Sequence, residues 1–127
     1  MTTLKFPGYS LTLGRFDADE HLDVMVGMPR GANLTGKVLF LSGRTMGQLH
    51  NVTGSQVGAY FGHAVAVCDV NGDGYEDAII GAPLHTNYDV PGSYETGRVY
   101  VVYQNSEVSA TSIWLRLLPL SLSAATT

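Results

Sequence analysis

The nine residues from 69 to 77 constrain the fold of this chain more than any other segment. They read Asp-Val-Asn-Gly-Asp-Gly-Tyr-Glu-Asp, which places side-chain oxygens at loop positions 1, 3, 5 and 9 and glycines at positions 4 and 6. Ca²⁺ takes about six to eight oxygen ligands, which alternating Asp and Asn in a tight turn can supply together. The glycines allow the positive φ angles that such a turn requires. We therefore predict a calcium loop whose ligands are Asp69, Asn71, Asp73, the carbonyl group of Tyr75, and Asp77.

The flanks of this loop predict strands rather than helices. An EF-hand needs a glutamate at position 12 and a helix on each side, but position 12 here is Ile80. Residues 64–68 and 78–80 are short apolar runs, and glycine and proline follow the second run. Runs of this kind are typical of buried β-strands. The loop is therefore predicted to join two strands of a hairpin and to end its ligand set at Asp77.

The strand–loop–strand unit occurs twice, with the two copies 54 residues apart. This shift aligns residues 26–29 (Val-Gly-Met-Pro) with residues 80–83 (Ile-Gly-Ala-Pro). In each copy a glycine, a cation and a β-prone run then follow, at 36–41 and at 97–103. Repeats of about 40–60 residues made of short strands are typical of propeller blades. The chain is therefore predicted to be all-β, a partial β-propeller of about two blades, each a four-stranded antiparallel sheet.

The first copy contains a second candidate calcium loop. The residues that the shift places on ligand positions are Asp17, Asp19, His21 and Asp23, with His21 at the position that supplies a carbonyl group. Position 1 is Arg15 instead of an acidic residue, and position 6 is Glu20 instead of glycine. Because Arg15 removes one anion and adds a cation, we expect this loop to bind calcium more weakly than the second.

The motifs of the second copy resemble those of a known family. Tyr60-Phe61-Gly62, followed by a calcium loop and then Gly81-Ala82-Pro83, resembles the FG-GAP repeat of integrin α subunits. The resemblance implies that residues 6–53 are one repeat with a degenerate calcium loop, similar to the fourth of seven blades. Residues 54–104 are then a second repeat with a regular loop, similar to most of the fifth blade. Residues 105–127 match nothing expected at the start of a sixth blade, so we expect an unstructured or aberrant tail.

This resemblance implies a fragment of a cell-adhesion receptor, on the extracellular side of the plasma membrane. In the family, the propeller pairs with an integrin β subunit and binds extracellular-matrix protein ligands, and calcium has a structural role. Residues 1–5 are too few for a signal peptide. Residues 113–122 are too few to span a bilayer and include an arginine and a proline. Membrane attachment is therefore expected only through parts absent from this chain.

Two alternatives from other classes share the repeat. One is an enzyme that carries FG-GAP repeats, such as a glycosylphosphatidylinositol-specific phospholipase D, and the other is a repeat lectin, whose repeats should be nearly identical. We expect no enzyme activity, because the segment 31–38, which is close to a phosphate-binding loop, has Val38 where a hydroxyl is needed. Only 14% of residues are charged, with a net charge of −4, and no basic patch indicates nucleic acid.

Three further side chains carry predictions about processing and packing. Asn33 and Asn51 each begin an Asn-x-Thr glycosylation triplet, and both are expected in polar connections between strands. Cys68 is the only cysteine, so the chain contains no disulfide of its own. We expect its thiol to be buried and structural.

Overall fold

The chain forms two four-stranded antiparallel sheets, as predicted. The computed structural model describes residues 10–17, 19–88 and 97–104, and the backbone of 114–121. The first sheet, in spatial order, contains β1 (Ser10–Gly14), β2 (Asp23–Met28), β3 (Lys37–Leu41) and β4 (Gln48–Thr53). A short helical turn, α1 (Gly31–Leu34), connects β2 to β3. The second sheet contains β5 (Ala64–Cys68), β6 (Asp77–Ala82), β7 (Arg98–Gln104) and β8 (Trp114–Ser121).

The two candidate calcium loops occupy equivalent places in the two sheets. In the first sheet, β1 and β2 form a hairpin whose last pair is Gly14 opposite Asp23. In the second sheet, β5 and β6 form a hairpin whose last pair is Cys68 opposite Asp77. Each loop therefore begins and ends at the closing pair of a hairpin, and the strand register fixes how far apart its two ends lie.

Among the described residues, one hydrophobic core lies between the two sheets. Phe16 and Phe40 from the first repeat are completely buried, and their ring centroids are 5.0 Å apart at an interplanar angle of 73°. Phe61 and Tyr100 from the second repeat make the same edge-to-face contact at 5.1 Å. The remaining buried members are Met25, Val38, Ala59, Ala78, Ile80, Ala82 and Val102. Because both repeats contribute to one core, neither sheet buries its apolar face without the other.

The Phe-Gly pair of the second repeat fills a groove on the first sheet. A Cβ atom on Gly27 would overlap the carbonyl oxygen of Gly62, and a Cβ atom on Gly36 would overlap that of Phe61. The hydroxyl of Ser10 also donates a hydrogen bond to the Gly62 carbonyl over 2.9 Å. The glycine of the Val-Gly-Met-Pro motif is therefore required because the next repeat's backbone packs directly against it.

The equivalent groove on the second sheet is open among the described residues. Gly81 corresponds to Gly27, but a Cβ atom built on it meets nothing nearer than the Ala64 carbonyl oxygen at 3.6 Å. An open cavity of about 180 Å³ lies at this place. Its lining residues are Ala64, Val65, Ala66, Ile79, Gly81 and Val99. No described residue therefore covers, on the second sheet, the surface that in the first sheet receives a Phe-Gly pair.

Three sequence-based expectations are corrected by the structure. The expected unstructured tail is wrong for residues 114–121, which form β8 and pair along the whole of β7. Asn51 lies within β4 rather than in a connection, because β4 is the edge strand of its sheet and tolerates polar residues. Cys68 is exposed rather than buried. It lies at the end of the edge strand β5, whose residues alternate between exposed and half-buried. The predicted start of the first repeat, residues 6–9, lies outside the described residues. The rest of the tail, 105–113 and 122–127, also lies outside them.

Candidate metal centres

The first acidic residue of the second loop organises the loop backbone. Asp69 Oδ1 accepts hydrogen bonds from the backbone N–H groups of Gly72 at 2.9 Å and Asp73 at 3.2 Å, and its Oδ2 accepts one from Gly74 at 2.8 Å. Gly72 and Gly74 have φ angles of 75° and 86°. The two glycines therefore adopt the positive φ angles predicted for them, and the loop curls around the Asp69 carboxylate.

The next two polar side chains of this loop each bond the backbone two residues on. Asn71 Oδ1 accepts from the Asp73 N–H at 3.3 Å, and Asp73 Oδ1 accepts from the Tyr75 N–H at 2.9 Å. Tyr75 has a side chain that is 41% exposed. The carbonyl group of Tyr75 stays a predicted calcium ligand.

The last acidic residue of the loop is part of the sheet rather than of the surface. Asp77 is completely buried. Its Oδ2 accepts from the Val70 N–H at 2.9 Å, and its Oδ1 accepts from the Gln104 N–H at 3.0 Å. A buried carboxylate is costly unless it is hydrogen-bonded, and these two donors supply that compensation from the start of the loop and from the end of β7.

The first loop repeats four of these contacts, three of them at the 54-residue shift and the fourth from the residue that follows the third strand of the sheet by two positions, Gly43. Asp23, also completely buried, accepts from the N–H groups of Phe16 at 2.8 Å and Gly43 at 3.0 Å. Asp17 Oδ1 accepts from the Asp19 N–H at 3.0 Å. Asp19 Oδ1 accepts from the His21 N–H at 2.9 Å. The 54-residue repeat seen in the sequence is therefore also a repeat of hydrogen bonds.

The two loops differ at position 1. A guanidinium group has only donors. The Arg15 side chain therefore cannot accept hydrogen bonds from backbone N–H groups, as Asp69 does in the second loop. Arg15 is exposed, and its own backbone N–H donates to Glu76 Oε1 in the second loop at 2.9 Å. The hydrogen bond from the His21 N–H lowers the pKa of Asp19 most, and the guanidinium of Arg44, in the turn between β3 and β4, adds a smaller lowering. No sequence signal pointed to Arg44, because its approach to this loop depends on the pairing of the strands.

The electrostatics of the first loop indicate crowded negative charge. Burial raises the pKa of the Asp17 carboxyl above its ordinary value, and the neighbouring carboxylates of Asp23 and Asp19 raise it further. The hydrogen bond from the His21 N–H lowers the pKa of Asp19. Like charges held together disfavour ionisation, whereas a cation between them would favour it. The Asp17 environment therefore suits a bound cation.

The donor chemistry of both loops fits a hard divalent cation. Asp17, Asp19 and Asp23 each offer one oxygen, and these oxygens all lie within 4.8 Å of one another. Asp69, Asp73 and Asp77 do the same in the second loop. Ca²⁺ prefers such oxygen ligands in flexible geometry. The other predicted ligands, Asn71, Tyr75 and His21, lie in the same two loops and are exposed.

Two residues near the loops were missed by the sequence reasoning. The side-chain amide of Gln104 donates to the backbone carbonyls of Arg15 and Glu76, each over 2.8 Å. Glu76, the eighth residue of the second loop, accepts the Arg15 N–H. Neither occupies a predicted ligand position, and both contacts join residues distant in sequence, so no local pattern reveals them.

Comparison with known proteins identifies the repeat. Residues 61–102 match the family model described as FG-GAP repeat. The chain is 48% identical over 98 residues to Integrin alpha-PS2 of Drosophila melanogaster, a match that covers 76% of the chain and 7% of that protein. It is 40% identical over 105 residues to Integrin alpha-5 of Xenopus laevis, covering 82% of the chain and 10% of that protein. It is 41% identical over 99 residues to Integrin alpha-IIb of Homo sapiens, covering 76% and 9%.

The chain corresponds to a small part of each relative. It spans a tenth or less of the length of these relatives. Among the described residues, no helix is both long enough and apolar enough to cross a membrane.

Proposed function

The chain is an FG-GAP repeat segment of the integrin α-subunit family, a partial β-propeller, and from this premise we propose that it serves in the ectodomain of a cell-adhesion receptor. The parent protein lies at the cell surface, pairs with an integrin β subunit and binds extracellular-matrix proteins. Within it, the two loops hold structural Ca²⁺. The relatives reported above are integrin α chains, and no observation favours a phospholipase or a lectin.

The observation that carries the calcium proposal is the duplicated arrangement of carboxylates on a duplicated hydrogen-bond frame. Three carboxylates in each loop bring oxygens within 4.8 Å of one another. In both loops the backbone fixes these side chains from within, through bonds such as those from the Tyr75 N–H to Asp73 and from the His21 N–H to Asp19. A bound calcium ion would neutralise this charge. Asp69, Asn71, Asp73, Tyr75 and Asp77 would hold it in the second loop, and Asp17, Asp19, His21 and Asp23 in the first.

The open groove on the second sheet supports a place within a larger ring. The first sheet's groove is filled by Phe61 and Gly62 of the repeat that follows it in the chain. The second sheet has the same groove at Gly81, lined by small and branched apolar side chains. We infer that a further repeat packs there in the parent protein, as the second repeat packs on the first.

Calorimetric titration of the complete propeller that contains this chain tests the calcium assignment. Asp73→Ala removes a central, exposed anionic ligand, and we expect calcium binding at the second loop to be lost. Sites of this class in extracellular modules have affinities on the order of 10⁻⁴–10⁻³ M, so the titration should extend into the millimolar range. Glu20→Ala is a matched control, because it removes an exposed acid from a loop position that is not predicted to bind the ion. An unchanged calcium affinity in Asp73→Ala would refute the site.

Both glycosylation triplets lie where a glycan has room. Asn33 and Asn51 are exposed. Asn33 adopts a φ of 55° in the short turn α1, and Asn51 lies on the edge strand β4. We propose that both carry N-linked glycans in the cell-surface parent protein. Asn33→Gln and Asn51→Gln should each lower the apparent mass of the cell-surface protein by one glycan, and an unchanged mass would remove that position from the proposal.

A further inference from the structure

A buried glutamine side chain joins the two candidate calcium loops. Gln104 is only 8% exposed at the end of β7. Its side-chain Nε2 donates to the Arg15 carbonyl at 2.8 Å and to the Glu76 carbonyl at 2.8 Å. Arg15 is the first residue of the first loop, and Glu76 is the eighth residue of the second. One side-chain amide therefore connects two loops that belong to different sheets.

A second set of bonds tightens this connection. The Arg15 N–H donates to Glu76 Oε1 at 2.9 Å, so both the N–H and the C=O of Arg15 are bound by groups from the second repeat. The backbone N–H of Gln104 donates to Asp77 Oδ1 at 3.0 Å. Gln104 thus contacts the end of the second loop with its backbone and the start of the first loop with its side chain.

Among the described residues, the first sheet carries no equivalent of this link. Gly43 occupies the position of Gln104, since its N–H donates to the buried Asp23 just as the Gln104 N–H donates to Asp77. A Cβ atom on Gly43 would overlap the carbonyl oxygen of Leu22. A side chain cannot be placed there without moving the backbone, so in the described part of the chain the connecting amide belongs to the second repeat.

We propose that Gln104 and Glu76 couple the two loops, so that a cation bound in the second loop orders the start of the first. This inference rests on the proposed calcium binding. Calcium held by Asp77 and its neighbours restrains Glu76, whose carboxylate and carbonyl are tied to Arg15 directly and through Gln104. By thermodynamic reciprocity, a cation in the first loop strengthens binding in the second by the same factor.

The coupling accounts for the tolerance of arginine at position 1 of the first loop. In the second loop, Asp69 holds the backbone through its own carboxylate. Arg15 cannot do this, but its backbone is held from outside by Glu76 and Gln104, while its side chain points into solvent-exposed space. The second repeat thus supplies support at the point where the first loop lacks its own acidic residue.

Hydrogen–deuterium exchange on the complete propeller tests the coupling. In an Asp19→Ala background, which disables the first loop, added Ca²⁺ binds only the second loop of this pair. We expect Ca²⁺ to slow exchange in residues 10–17 by about fivefold, the lower end of typical coupling between sites. Gln104→Ala should abolish this slowing and leave the calcium-dependent protection of residues 70–76 in place.

Matched variants separate the link from general destabilisation. Gln56 makes the same kind of contact elsewhere, since its side chain exchanges hydrogen bonds with the backbone of Thr86 at 2.9 and 2.8 Å. Gln56→Ala should therefore keep the slowing in residues 10–17. Glu76→Gln retains the Oε1 acceptor and should keep it too, whereas Glu76→Ala should lose it. The Glu76 pair decides the question if Gln104→Ala fails to fold.

The outcomes distinguish the coupling from the calcium assignment. Calcium protection of residues 70–76 without any slowing in residues 10–17 would overturn the coupling and leave the second site intact. Slowing that persists in either Gln104→Ala or Glu76→Ala would overturn it as well. An absence of calcium protection in residues 70–76 would overturn the proposed site and the coupling together.

Discussion

Asp77→Ala should destabilise the second repeat even when no calcium is present. The substitution leaves two backbone N–H groups, those of Gln104 and Val70, without their acceptor. An unsatisfied buried donor costs about 1–3 kcal/mol. The Gln104 bond is buried and carries that cost in full, whereas the Val70 bond is only partly buried and water can replace it in part. We therefore expect the free energy of local opening to fall by about 2–4 kcal/mol.

Amide exchange of the complete propeller in excess chelator measures this loss. The sheet pair formed by Ala78 and Val102 lies next to the loop, and its exchange should accelerate about 30-fold to several hundredfold. Asp73→Ala is the matched control, because its hydrogen bond to Tyr75 is exposed and water replaces it. Asp73→Ala should change exchange in chelator less than about threefold. Equal effects of the two substitutions in chelator would refute the distinction between Asp77, which also holds the sheet, and Asp73, which is proposed to act only as a ligand.

Two further predictions concern the departures between the repeats. Arg15→Asp should strengthen calcium-dependent stabilisation of the first loop, because it supplies the missing acceptor and removes a positive charge. Thermal unfolding with and without Ca²⁺ checks this. An unchanged rise of the unfolding temperature on adding Ca²⁺ would contradict it. In the complete propeller, Gly81→Ala should destabilise by about 1–3 kcal/mol, as overpacking does, and should match Gly27→Ala in denaturant unfolding. A neutral Gly81→Ala beside a costly Gly27→Ala would show that no repeat packs in the groove at Gly81.

The sequence predicted the parts of the fold that depend on local chemistry. The conformation of the loop at 69–77 depends on residues within the loop itself, because Asx side chains bond backbone groups a few residues away and glycines take positive φ. The short apolar runs beside it predicted β5 and β6, because runs of this length followed by glycine and proline are typical of buried strands. The 54-residue shift then extended both assignments to the first repeat, and the repeated hydrogen bonds of Asp23 and Asp77 confirm that alignment at the level of single contacts.

Features that depend on pairing between distant segments were not predictable in the same way. Residues 114–121 match no repeat motif, yet they pair with β7 as β8. Without β8, the edge of β7 would present a row of unpaired backbone groups, to which a strand of any sequence pattern can add. The polar Asn51 lies in β4 because that strand forms the other outer edge. The contacts of Gln104 join residues that are 28 and 89 positions apart, so no periodicity or spacing in the chain could indicate them.

The comparison of the two loops separates what holds the sheet from what holds a cation. The carboxylate at position 9 is completely buried in both repeats and makes the same pair of backbone contacts, so Asp23 and Asp77 close their hairpins whether or not an ion binds. Position 1 is different, because its acidic residue is present in one repeat and replaced by Arg15 in the other while the strand pairing stays the same. The fold therefore requires position 9 and tolerates change at position 1. Because position 1 can change without loss of the hairpin, the proposed calcium affinity is expected to differ between the two repeats while their strand pairing is preserved.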